Sequence, residues 1–155
     1  MIFEKAAASD IAELVALRLA YLAEDGGLCE ADAARIRRDL PDYFTRHLDG
    51  DVIAFVARDA EGIAACALML LVEKPMSPAF INGRTAVALN VYTRPERRGR
   101  GYARRLMEMM MEEAARREVC RVELKATPMG YDLYRSMGFA DDTSKYRRMT
   151  WTVEP

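Results

Sequence analysis

Histidine and paired cysteine are what this 155-residue sequence has least of: one histidine, His47, and three cysteines, Cys29, Cys66 and Cys120, with no CxxC pair. A single histidine cannot build a histidine metal cluster, so His47 reads as a surface or capping residue and no metal is expected. Three distant cysteines with mostly apolar neighbours read as reduced thiols of a cytosolic protein. No Gly-x-Ser-x-Gly occurs, so there is no hydrolase nucleophile elbow. The longest uncharged apolar run, Ile63 to Val72, is too short to span a bilayer. The opening Met-Ile-Phe-Glu-Lys lacks the basic start and long apolar stretch of a signal peptide. A cytoplasmic location and no membrane partner are therefore expected. A net charge of −1 gives the chain no general pull toward nucleic acid.

With 51% hydrophobic and 30% charged residues, the composition is that of one globular domain over residues 1–155. Met1 to Lys5 fits a short strand. Ser9 or Asp10 then caps a helix whose apolar positions Ile11, Leu14, Val15, Leu17 and Leu22 recur at helical spacing, ending at Gly26-Gly27. Glu30 to His47 is a second helical stretch, which Pro41 is expected to kink or divide. After Gly50-Asp51 the period changes. Val52 to Arg58 and Ile63 to Val72 form a hairpin across Asp59 to Gly62. Residues 73–84 read as a loop and Thr85 to Thr93 as a strand. From Gly101 an apolar stripe of Ala103, Leu106, Met107, Met110, Met111 and Ala114 marks a helix, and the methionines read as helix packing. Cys120 to Ala126, Pro128 to Met137 and Tyr146 to Val153 complete the chain as strand, short helix and last strand. The order β-α-α-β-β-β-α-β-α-β defines an α/β domain with a mixed, mostly antiparallel sheet flanked by helices.

The densest chemical signal is Arg94-Pro-Glu-Arg-Arg-Gly-Arg-Gly-Tyr-Ala-Arg-Arg105, with six arginines and one glutamate. A strand enters this loop and an amphipathic helix leaves it. The unpaired N–H groups and positive dipole end of a helix start suit a phosphate, and Gly99 and Gly101 permit close approach to the backbone. A P-loop would need Lys-Ser or Lys-Thr where Tyr102-Ala103 stand. A dinucleotide fingerprint would need glycine or alanine at Arg104.

Arg98-Gly-Arg-Gly-Tyr-Ala103 instead resembles the Arg/Gln-x-x-Gly-x-Gly/Ala pattern of the GNAT superfamily of acetyl-CoA-dependent N-acetyltransferases. Leu89-Asn-Val-Tyr-Thr-Arg-Pro-Glu96 looks like the strand end that precedes that pattern. Leu133-Tyr-Arg-Ser-Met-Gly-Phe139 resembles the Leu-Tyr-x-x-x-Gly-Phe signature that follows the fifth strand. The resemblance covers the element order of the whole chain. It implies transfer of an acetyl group from acetyl-CoA to a primary amine, by direct attack in a ternary complex. Val91, Tyr92 and Thr93 would pair with the pantetheine arm, and Arg98, Gly99, Arg100, Gly101, Tyr102 and Ala103 would cradle the pyrophosphate. A main-chain N–H near Val91 or Tyr92 would stabilise the oxyanion, a donor worth about 3 kcal/mol. Tyr134 matches the tyrosine that protonates the departing thiolate.

Many relatives carry an asparagine where this sequence has Thr127, so Thr127 enters only as a substitute contact. Asn90, a polar residue in an apolar strand, must find partners if buried, in the strand or on a ligand. Arg18, Tyr21 and Glu24 lie where the resemblance places acceptor-binding elements. For the base that deprotonates the amine, Glu24, Asp25, Glu30, Glu73 and Glu123 are candidates that no spacing separates. The resemblance implies a small-molecule or peptide amine as partner and allows a homodimer. Acyl donors longer than acetyl also stay open. Two other classes remain: a non-catalytic CoA-binding regulator, and a basic nucleic-acid module, against which the lack of interleaved aromatics counts.

Overall fold

In the computed structural model of the protein, strand-period apolarity after Gly50 and helical period on either side of it sort the described residues, 1–154, into five strands and four α-helices. They form two compact units, Met1–Lys125 and the chain from Ala126 onward. The first holds β1 (Ile2–Lys5), α1 (Ile11–Asp25), α2 (Glu30–His47), β2 (Val52–Asp59), β3 (Gly62–Glu73), β4 (Arg84–Thr93), α3 (Tyr102–Arg116) and β5 (Arg121–Leu124). The strands lie in chain order; β1 to β4 pair antiparallel, and β4 pairs with β5 in parallel. This is the mixed, mostly antiparallel sheet expected from the sequence.

Alternation sends Val52, Ala54 and Val56 of β2 to one face, where they join Leu14 and Leu17 of α1 and Phe44 of α2 in one core. The intervening Ile53, Phe55 and Ala57 are equally buried on the face that α3 covers with Leu106, Met107 and Met110. Each fully buried large apolar side chain contributes about 1.5–3 kcal/mol, so both faces hold their helices firmly. Asp10 ties α1 to the sheet: it accepts the Ala7 N–H at 2.8 Å and Arg58 at 2.9 Å.

One sequence expectation is narrowed and one is corrected. The second helix is not divided at Pro41; it runs unbroken from Glu30 to His47. Proline inside a helix costs about 3 kcal/mol. Here Leu40, Tyr43 and Phe44 pack on the core beside it, and Leu48 closes the last turn on the Phe44 carbonyl at 2.8 Å. The predicted last strand, Tyr146 to Val153, does not form. Tyr146, Met149, Trp151 and Val153 are all exposed, without strand pairing among the described residues. β-Propensity expresses fit to a half-buried pleated surface, and without a paired neighbour it does not make a strand. The second unit contains α4 (Tyr131–Ser136), after which Gly138 takes the left-handed conformation, φ 97°, that ends helices.

Candidate functional site

The pairing of β4 changes at Asn90. Leu68 faces Leu89 and Cys66 faces Tyr92, so Ala67 stands opposite both Asn90 and Val91. This is a β-bulge, and Asn90 absorbs it in the left-handed region at φ 52°. On the other side, β4 pairs with β5 only from Thr85 to Ala88. Residues 89–93 therefore have no strand beside them toward β5 among the described residues. Peptide-like amides could add to that edge as a strand would.

Immediately after the open edge, Pro95–Arg97 make one 3-10 turn and the loop runs to Gly101, the N-cap of α3. Gly99 (φ 75°) and Gly101 (φ 79°) are both left-handed, and no atom lies within 4 Å of where a Cβ would stand. The helix start has no side-chain cap and no acidic residue in its first turn. Its N–H groups and positive dipole end thus face open space, the arrangement an oxyanion such as pyrophosphate requires.

The arginines are less free than the sequence suggested. Arg97 is held by Asp59 at 2.7 Å and by Glu61, both at the β2–β3 turn. Arg94 donates to the Ile63 carbonyl at 2.8 Å. Arg98 donates Nε to the Thr93 carbonyl at 2.9 Å and Nη2 to Glu24 at 2.8 Å, and its guanidinium lies over the Tyr92 ring. The Arg98 hydrogen bond holds the Glu24 carboxyl below its ordinary range. Burial, followed by the Glu24 charge, raises the Tyr92 phenol. Much of the basic patch is thereby neutralised from within.

One stripe of α1 runs along the open part of β4. Arg18 donates Nη1 to Asn90 Oδ1 at 3.3 Å, the Tyr21 ring meets the Tyr92 ring edge-on at 6.4 Å, and Glu24 reaches Arg98. Asn90, only 3% exposed, donates Nδ2 to Cys66 Sγ at 3.3 Å, so both ends of its amide have protein partners. Beyond Arg18 a cleft of about 200 Å³ opens on the same face of the sheet. Leu40 and Tyr43 of α2 wall it on one side; Val52, Leu68, Leu70 and Leu89 of the sheet form its floor. The sequence reading missed these residues as site-forming.

None of the base candidates lines that cleft. Glu24 is committed to Arg98; Glu123 lies 3.0 Å from Arg121 and 3.8 Å from Lys74; Asp25, Glu30 and Glu73 are exposed. In the second unit Tyr134 is buried, edge-on to Phe139 at 5.9 Å. Thr127 Oγ1 accepts the Gly130 N–H at 3.2 Å. Among the described residues no cluster of His, Cys, Asp or Glu could hold a metal, and no helix is long and apolar enough to cross a membrane.

A mixed sheet that opens between its fourth and fifth strands, with a glycine-lined helix start beside the gap, is the fold of an N-acetyltransferase. A family model described as acetyltransferase (GNAT) domain matches residues 50–141, and the chain belongs to that family. A crystal structure of a predicted acetyltransferase from Clostridium acetobutylicum with acetyl-CoA superposes with a TM-score of 0.85 at 27% identity, covering 96% of this chain and 95% of the other. A GCN5-related N-acetyltransferase from Ralstonia eutropha JMP134 gives 0.82 at 25% identity, covering 96% and 97%. An acetyltransferase of Trypanosoma brucei, 19% identical with coverage of 98% and 99%, shares the fold with a TM-score of 0.69. Comparison with curated proteins gives no match.

Proposed function

We propose that residues 1–155 act as one N-acetyltransferase domain that moves an acetyl group from acetyl-CoA to a primary amine by direct attack in a ternary complex. The observation that carries this reading is the unpaired edge of β4 at residues 89–93, running straight into an uncapped, glycine-lined helix start. That pair fits both parts of acetyl-CoA, the amides of its arm and its pyrophosphate. Bound acetyl-CoA supplies a thioester whose acetyl carbon bonds to the amine nitrogen as its bond to sulfur breaks.

The chain's own residues then have the following roles. Val91, Tyr92 and Thr93 offer main-chain groups to the pantetheine arm. Arg98 to Ala103 hold the pyrophosphate through backbone N–H groups and through the Arg98 and Arg100 guanidiniums. A main-chain N–H at Val91 or Tyr92 stabilises charge on the acetyl oxygen. Tyr134 gives its phenolic proton to the leaving sulfur. Arg18, Tyr21 and Asn90 contact the acceptor, and Thr127 the arm.

Thermal unfolding with acetyl-CoA tests the donor. A ligand that binds only the native state stabilises it by about 2.7 kcal/mol at a hundredfold excess over Kd. No rise in Tm at millimolar acetyl-CoA would overturn the assignment. A thiol-release screen over a broad amine panel then separates an enzyme from a CoA-binding regulator. For Tyr134, Y134F is expected to slow thiol release while leaving the acetyl-CoA Tm shift intact; unchanged turnover removes it as the acid.

A further inference from the structure

Resting on that reading, we propose that the acceptor is a small apolar α-amino acid: its side chain fills the cleft above Val52, Leu68 and Leu70, and its carboxylate pairs with Arg18. Arg18 is the odd residue of this cleft, because every other lining side chain is Leu, Val or Tyr. Arg18 is half-buried as a residue, and of its five N–H donors one is given to the neutral Asn90 amide. It also lies 5.9 Å from the Tyr21 ring centre. Among the described residues no carboxylate pairs with it. Five of the other half-buried arginines of this unit have acids: Arg58 has Glu4 and Asp10, Arg97 has Asp59 and Glu61, Arg98 has Glu24, Arg117 has Glu113 and Arg121 has Glu123. Arg94 shares the lack of a carboxylate, but it is held by the Ile63 carbonyl and does not line the cleft. A partly desolvated guanidinium without an anion makes a strong, bidentate match for a ligand carboxylate.

Two further observations narrow the ligand. The cleft, at about 200 Å³, is smaller than the roughly 300–1,000 Å³ of drug-sized sites, so it suits one compact side chain. The guanidinium sits 3.3 Å from the Asn90 side chain, and Asn90 directly precedes Val91, where the thioester is placed. Carboxylate and attacking nitrogen would then lie close together, which favours an acceptor that carries both on one short segment. Peptide N-termini lack a carboxylate there, and polyamines would meet a cation with no acid in the cleft to offset it. An acyl chain longer than acetyl would use the apolar floor but leave Arg18 without an anion.

In the reaction the neutral amino nitrogen bonds to the acetyl carbon, the carbon–sulfur bond breaks, sulfur takes a proton and the nitrogen releases one to water. The products are an N-acetyl amino acid and CoA. The test measures thiol release by the full chain with acetyl-CoA and, in turn, leucine, phenylalanine, leucinamide, 3-methylbutylamine and spermidine. Leucine is expected to exceed leucinamide and 3-methylbutylamine by at least about tenfold in kcat/KM, and the bulkier phenylalanine to be turned over more slowly than leucine. R18M should raise KM for the amino acid about tenfold or more and erase the preference, while R18K restores part of it; the acetyl-CoA Tm shift reports that both variants are folded. Equal turnover of leucine and leucinamide, an R18M loss shared by all amines, or acetyl-CoA binding with no amino-acid turnover would each overturn the proposal. So would faster turnover of hexanoyl-CoA than acetyl-CoA, which assigns the cleft to the donor. Absence of any acetyl-CoA stabilisation overturns the donor assignment instead, and is read separately.

Discussion

Replacing Asn90 separates two opposed views of β4. By strand propensity alone, valine at position 90 is a better residue than asparagine, and N90V should be neutral or stabilising. The backbone says otherwise: Asn90 sits at φ 52°, a region that asparagine tolerates and β-branched residues resist. Any substitution also removes the bond from Arg18 and the bond to Cys66, both at 3.3 Å, from a residue 3% exposed. A hydrogen bond to a charged group is worth about 1.5–3 kcal/mol, and the length of this one argues for the lower end. Left-handed strain adds about 1–2 kcal/mol for an ordinary side chain, and more for valine. Glycine escapes that strain but adds about 0.5–1 kcal/mol of chain entropy. N90V should therefore lose about 3–4 kcal/mol and N90G about 2–2.5. Urea unfolding followed by far-ultraviolet circular dichroism reads the difference; Trp151, 86% exposed, is a poor reporter. The reverse order, N90V more stable than N90G, would refute the bulge.

Three further outcomes follow from the same geometry. G101A places a side chain at φ 79°, which should cost about 1–2 kcal/mol of stability and weaken acetyl-CoA stabilisation more than a surface change on α3 does, both readable by thermal unfolding with and without ligand. Burial pushes the Cys66 thiol up to about 12, so a thiol reagent at pH 8 should label exposed Cys29 and Cys120 in the native protein and reach Cys66 only on unfolding; fast labelling of all three contradicts the burial. The Glu24 carboxyl is held below its ordinary 4.5 by Arg98, so the pair's contribution is present above about pH 4.5 and is lost as pH falls through the lower folded value. E24Q should flatten that acid limb and raise acetyl-CoA affinity by up to about fivefold, because an internal anion no longer competes for Arg98; calorimetry showing weaker binding would count against the competition.

Local features of this protein were legible in the sequence and long-range ones were not. The shift from strand to helical period around Arg94–Arg105 placed the loop correctly, since turn glycines and an amphipathic stripe are properties of neighbouring residues. The start of α1 and its end at Gly26 were readable for the same reason. The left-handed Asn90 was not, because a bulge depends on how β3 counts against β4. The ion pairs of Arg97 with Asp59 and of Arg98 with Glu24 join residues 38 and 74 positions apart, Arg97 less 59 and Arg98 less 24. No spacing rule reaches that far, so the arginine run looked more cationic than it is. Tyr146 to Val153 failed in the opposite sense: its composition suits a strand, but a ladder needs a partner that composition cannot supply.

Helix α1 is what joins the two halves of the proposed chemistry. Residues 18, 21 and 24 recur every third position, so they lie on one side of the helix. Each touches a different part of the donor side: Arg18 the bulge, Tyr21 the Tyr92 ring, and Glu24 the first arginine of the phosphate loop. Leu14 and Leu17, one turn earlier, are fully buried in the core and fix the helix against the sheet. The acceptor wall is therefore carried by an element anchored in the core rather than by a loop, and its position relative to the open edge of β4 is set by packing. Such a wall favours a small, rigid acceptor over an extended chain, since fixed walls reward fit and cannot fold around a long ligand. The same stripe presents Arg18 to the acceptor and Glu24 to the donor loop, so a charge change at either end acts on the one helix. E24Q should therefore leave the preference for leucine over leucinamide unchanged while altering acetyl-CoA affinity, and R18M should do the reverse. A loss of both properties in either variant would mean that the helix moves, and that its two ends do not read their ligands independently.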